Sequence, residues 1–178
     1  CDTTLERMNR RYRSTEYAEK CDLLRKYFKN PALTTDVIVG FPGETEADFQ
    51  ELCDFIREVK FDDMGAFKYS PQDGTPAARM ADQIPEDVKE DRYHRLMSVQ
   101  AEISEENDRN LIGTETEVLV EELVDNGDGL VAKGRAEFQA PEVDGNVYIE
   151  NPGDLKPGDF CKVRIVDGYA YDLIANRI

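Results

Sequence analysis

The stretch that most constrains this chain runs from Leu33 to Glu44, LTTDVIVGFPGE, where a short apolar run rich in β-branched residues stops at Gly40, Pro42 and Gly43. Such a run reads as a strand, and two glycines around a proline read as a tight turn. From Thr45 the apolar period changes. Phe49, Leu52, Cys53, Ile56 and Val59 recur at helical spacing, and Thr45 with Asp48 has the spacing of a capping box. Strand, Gly-rich turn and helix make half of a βαβ unit, whose ligands lie at the carboxyl ends of the strands. The turn does not suit a phosphate. Glu44, Glu46 and Asp48 put negative charge at the helix start, and no Lys-Ser or Lys-Thr follows the glycines.

Alternation along the strand assigns Val37 and Val39 to the helix side and Asp36, Ile38 and Gly40 to the other. A mid-strand aspartate is costly to bury alone, so Asp36 should face a wet lumen or a cation. A second strand, Met64 to Ser70, follows the helix and should pair parallel with the first. Lys68 breaks its apolar pattern, and either lines the lumen with Asp36 or extends outward from the strand end.

Upstream, residues 3 to 13 read as a short helix with a basic end, and Ser14 or Thr15 caps a second one. On that helix Tyr17, Cys21, Leu24 and Phe28 form one apolar face, closed by Asn30 and Pro31. Downstream, Pro71 to Pro85 is a long turn-rich loop, which favours function over spacing. A long charged helix then runs to about Asn110, and its His94 reads as a surface residue.

At Gly113 the texture changes to short alternating runs separated by Asn-Gly, Asp-Gly and Pro-Gly turns. Five or so strands in so short a stretch describe a small antiparallel barrel, with a domain boundary at 112/113. The formal charge of the 178 residues is −16. Fourteen acidic residues against six basic ones place −8 on the barrel alone. Nucleic-acid binding needs clustered Lys and Arg, so this balance disfavours it; a partner steered by charge should be basic, and plain solubility is the alternative that charge alone leaves standing. Cys1, Cys21, Cys53 and Cys161 lack zinc-type or C-x-x-C spacing and read as free thiols rather than metal ligands. No stretch approaches the roughly 20 apolar residues of a membrane span, and cytoplasm is the expected location. A first residue other than Met suggests that upstream sequence is missing.

TTDVIVGFPGET, followed by Phe67, Tyr69, Ser70, Pro71, Gly74, Thr75, Pro76, Ala77 and Ala78 in an F-x-Y-S-P-x-x-G-T-P-A-A pattern, closely resembles the later part of radical S-adenosylmethionine methylthiotransferases. The resemblance covers nearly the whole chain. MNRRY fits the helix after that family's fourth barrel strand, and the terminal barrel fits its TRAM domain. The implied fold is α/β: residues 1–112 as the carboxyl-terminal part of a partial TIM-like βα barrel, then residues 113–178 as a five-stranded antiparallel TRAM barrel. The acidic tail and the Ala140 to Gly145 segment look most like the branch that methylthiolates an aspartate on a small-subunit ribosomal protein, whereas MNRRY is closer to the tRNA-modifying branches.

The resemblance further implies S-adenosylmethionine and two four-iron four-sulfur clusters in the parent enzyme, one held by a C-x-x-x-C-x-x-C triplet. This chain has no such triplet, so it should ligate neither cluster, contribute no catalytic residue and be silent alone. The carried-over cofactor contacts are Ile38, Gly40 and Phe41, with Asp36 and Lys68 lining the lumen. Ordinary core packing for Ile38 and Phe41, and a plain turn requirement for Gly40 and Gly43, remain the alternatives. The implied partners are a basic ribosomal protein and the missing N-terminal part of the enzyme. Two strands cannot close a barrel, so self-association is also expected. From another class, an acidic adaptor module without enzymatic activity is the competing reading.

Overall fold

The computed structural model describes residues 1–125, 127, 129–141, 144–169 and 171–178. It divides into two compact units, Cys1–Ile103 and Ser104–Ile178.

In the first unit, β1 (Thr34–Val39) and β2 (Asp63–Lys68) pair in parallel, with Thr34 opposite Asp63 and Val39 opposite Lys68. Helix α3 (Glu46–Val59) connects them. Its start is fixed as the sequence implies: the Thr45 hydroxyl accepts from the Asp48 amide at 3.1 Å, and the Asp48 carboxylate accepts from the Thr45 amide at 2.8 Å. Phe49, Cys53, Ile56 and Val59 turn inward and meet Val39, Phe61, Met64 and Leu96. Each large side chain buried there contributes roughly 1.5–3 kcal/mol. Between β2 and α4 (Glu86–Leu111) the long loop holds one 3₁₀ turn, Ala77–Arg79.

The amino-terminal helices differ from expectation. Helix α1 is shorter, Asp2–Arg7, and α2 spans Ser14–Tyr27 with Arg13 as its N-cap. Ser14 lies one position inside the helix rather than at its cap, and its hydroxyl and amide both donate to Asp2, at 2.9 and 2.8 Å. The apolar face assigned to α2 is buried only in its first half. Cys21 is buried and Tyr17 packs on the core, but Leu24 is 41% and Phe28 61% exposed. The core ends before the last turn of the helix, and Leu23 and Tyr27 are exposed beside them.

The second unit holds a closed barrel of β3 (Glu115–Asp125), β4 (Leu130–Ala136), β5 (Val147–Glu150), β6 (Phe160–Tyr169) and β7 (Asp172–Arg177), in the order β3-β4-β5-β7-β6. The five expected strands are present, and closure leaves the sheet no open edge. One seam departs from the antiparallel rule: β5 and β7 pair in parallel. Alternate residues fill the interior, among them Val118, Val120, Val147, Ile149, Val163, Ile165 and Leu173. Of the turn and motif residues named above, Asn126, Asp128, Glu142 and Val143 lie outside the described residues.

Candidate functional site

The two faces of the β1–β2 sheet have opposite chemistry. Val37 and Val39 lie in register with Ala66 and Lys68, and Val39, Met64 and the partly buried Val37 and Ala66 belong to the core. Asp36 lies opposite Gly65 and Ile38 opposite Phe67 on the other face, where Ile38 is 41% and Phe67 56% exposed. Gly65 makes room for Asp36: a Cβ there would stand 2.3 Å from the aspartate Oδ1.

Lys68 does not line that open face. Its register places it on the helix side, and its ammonium binds Glu86 at 2.9 Å and also Glu90 of α4. These carboxylates raise its pKa, the Glu90 hydrogen bond most strongly. Strand alternation separates it from Asp36, which is one residue out of phase with it across the sheet.

The turn at the end of β1 is closed by its own glutamate. Glu44 is 5% exposed, and its Oε1 accepts from the Gly40 amide at 3.0 Å and from Arg92 at 2.8 Å. The same Arg92 nitrogen also donates to the Glu44 carbonyl at 3.1 Å. Burial pushes the Glu44 carboxyl up, against the pull of Gly40 and Arg92. Lys89, Arg92 and Arg95 recur at three-residue spacing along α4 and engage this region in turn. The Lys89 stem lies over Gly40, Arg92 holds Glu44, and Arg95 binds Glu46 at 2.5 Å while its guanidinium lies 4.7 Å from the Phe49 ring centroid.

Of the three positions read as ligand contacts, Ile38 projects from the open face. Gly40 is buried under Lys89 at φ +73°, a backbone shape that glycine tolerates. Phe41 is 6% exposed and packs edge-on against Tyr69, so its ring belongs to the packing rather than to an open surface. A cavity of about 160 Å³ flanks β1, lined by Leu5, Met8, Tyr17, Thr35, Asp36 and Val37 among others.

The thiols do not fit an iron–sulfur cluster. Cys21 and Cys53 are buried in the core of the first unit and Cys161 in that of the barrel, and burial raises all three pKa values. Cys1 is partly exposed and sits with Asp48 and Glu51, a single thiol where the family's cluster takes three.

On the barrel, cations meet carboxylates. Arg164 binds Glu115 at 2.6 Å, Arg135 binds Glu121 at 2.8 Å and Arg177 binds Asp154 at 2.7 Å. Lys162 and Lys133 stand in register with Glu117 and Glu122.

Sequence reasoning missed Arg92 and the row that contains it. Glu44 and Arg92 are 48 positions apart, and a charged helix face reads as solvated unless its neighbours are known. The three-residue recurrence of Lys89, Arg92 and Arg95 was the available signal.

Comparison with known proteins agrees with the motifs. Residues 1–56 match the Radical SAM superfamily, and residues 112–178 match the TRAM domain. The chain is 46% identical over 177 residues to the "Ribosomal protein uS12 methylthiotransferase RimO" of Geobacter sulfurreducens, covering 99% of this chain and 39% of that protein. The protein of that name from Geotalea uraniireducens is 45% identical over 177 residues, with the same coverage, and that of Desulforamulus reducens 48% over 151 residues, covering 85% and 34%. The chain thus spans about two fifths of the length of the first two of these curated relatives.

Proposed function

We propose that this chain, which carries a TRAM domain and a radical SAM segment, is the carboxyl-terminal part of a methylthiotransferase that modifies an aspartate of the basic ribosomal protein uS12. The observation that carries the substrate assignment is the charge of the barrel. Its net −8 is accompanied by the engagement of Arg135, Arg164 and Arg177 with carboxylates. Affinity for RNA comes largely from Lys and Arg that displace counterions from phosphate, and cations already paired within the barrel are poorly placed for that. A basic protein is the complementary partner, and such attraction speeds encounter and weakens with salt.

In this reading the open face of β1 and β2 lines the lumen beside the adenosyl part of S-adenosylmethionine. Ile38 supplies apolar contact, the backbone of Gly40 and Phe41 bounds the strand end, and Asp36 presents a carboxylate to the lumen. When bound, S-adenosylmethionine supplies the one-electron chemistry of the reaction, while these residues bind, orient and keep water from it. No step through an iron–sulfur cluster is assigned to this chain.

Residues 1–112 then form the barrel segment and 113–178 the recognition domain. The exposed Leu23, Leu24, Tyr27 and Phe28 of α2 are the surface on which the remainder of such a protein packs, or on which copies of this chain associate without it. A ribosomal substrate implies the cytoplasm, and among the described residues no helix is long and apolar enough to cross a membrane.

The gene sequence upstream of Cys1 tests the chemistry. A C-x-x-x-C-x-x-C triplet is expected there, and a gene without one would leave an acidic adaptor as the better reading.

A further inference from the structure

We propose that Arg92 is the positioning residue of the Gly40–Glu44 turn, a buried latch that fixes the end of β1. Arg92 and Glu44 are each 5% exposed, so their attraction is not screened as a surface pair would be. One guanidinium nitrogen binds both the carboxylate and the carbonyl of Glu44, while the same carboxylate oxygen receives the Gly40 amide. The turn is further tied by the Glu44 amide, which donates to the Phe41 carbonyl at 2.9 Å. Three groups of the turn therefore depend on one side chain from α4: the carboxylate and carbonyl of Glu44 directly, and the Gly40 amide through that carboxylate.

Removal of the guanidinium leaves a buried carboxylate with the Gly40 amide as its remaining donor from this set. The carboxylate then gains by turning to water, which strips Gly40 of its partner and frees the turn. Lysine is a partial substitute, because a strongly hydrated point charge on a flexible stem is harder to bury and holds its donors less firmly than a guanidinium does. The neighbouring cations act differently. Lys89 covers Gly40 with its stem, and Arg95 pairs with the exposed Glu46.

The consequence for ligand contact at Ile38, Gly40 and Phe41 rests on the function proposed above, whereas the latch rests on geometry alone. Amide hydrogen exchange on the full chain tests it. In Arg92→Met the Gly40 and Glu44 amides exchange at least about 30-fold faster than in the wild type, while Phe49 in α3 and Val120 in the barrel keep their protection. Arg92→Lys recovers part of that loss, which a general packing role would not produce. Glu44→Gln removes the charge with little change of shape and accelerates Gly40 by a smaller factor, so it reads the latch even where Arg92→Met fails to fold.

Exchange at Gly40 within about twofold of wild type in Arg92→Met or, where that variant does not fold, in Glu44→Gln overturns the proposal. So does acceleration spread evenly through α3 with Arg92→Lys no better than Arg92→Met. Either result leaves the substrate reading intact, and failure to bind uS12 would leave the latch intact.

Discussion

Asp36 and Lys68 stand on opposite faces of the two-stranded sheet, although each interrupts an otherwise apolar strand. Asp36 lies across from Gly65 on the open face, and Lys68 reaches Glu86 and Glu90 on the helix side. The two charges therefore act independently. In a double-mutant cycle, the stability effects of Asp36→Asn and Lys68→Met should sum with no coupling term, whereas a lumenal ion pair would give a measurable one.

Gly40 carries two constraints and Gly74 only one. Both have positive φ, +73° and +82°, but a Cβ at Gly40 would stand 2.4 Å from the Lys89 Cγ while the space at Gly74 is open. Alanine at Gly74 should cost about 1 kcal/mol, from backbone strain alone. At Gly40 it should cost about 2–4 kcal/mol, because the Lys89 stem must also move. Equal midpoints for the two variants in urea would show that Lys89 yields freely.

Glu46 makes stability pH-dependent in a defined direction. Its hydrogen bond to Arg95 holds its carboxyl below the ordinary 4.5, outweighing a smaller desolvation effect. A depressed folded-state pKa contributes stability above the unfolded value, and that contribution is lost as pH falls through the folded value. The stability gap between wild type and Glu46→Gln should thus be flat from neutral pH down to about 5.5 and close progressively below 4.5. Thermal melts across this range measure it, and a gap that widens on acidification would reverse the sign assigned here.

Phe49 is fully buried and lies beneath the guanidinium groups of Arg92 and Arg95, 5.7 and 4.7 Å from its ring centroid. Phe49→Ala should cost about 3–5 kcal/mol through the cavity it leaves. Phe49→Leu keeps most of the volume and loses the aromatic face, for about 1–2 kcal/mol. Denaturant titration of both variants separates volume from cation–π contact.

The parts of the fold that were legible in the sequence are those written in local periodicity. The Thr45 and Asp48 capping box, the alternation that sends Val39 inward and Ile38 outward, and the five strands after Gly113 all follow from spacing within a few residues. What escaped depends on distant partners. The face of Lys68 is set by register with β1, the parallel seam of β5 and β7 by barrel closure, and the burial of Arg92 by a glutamate half the first unit away. Ser14 stands inside the helix rather than at its cap, tied by its hydroxyl to Asp2, a contact between residues twelve apart. The face on which Ile38 and Asp36 lie was readable from the strand, whereas the row of Lys89, Arg92 and Arg95 was hidden in a helix whose charges look solvated.

The substrate assignment meets its most direct test in equilibrium binding of this chain to purified uS12 and to tRNA, each measured at low and at high salt. The acidic barrel predicts saturable binding to uS12 that weakens as salt rises, with no binding to tRNA. Salt-sensitive binding to tRNA, with none to uS12, would contradict it.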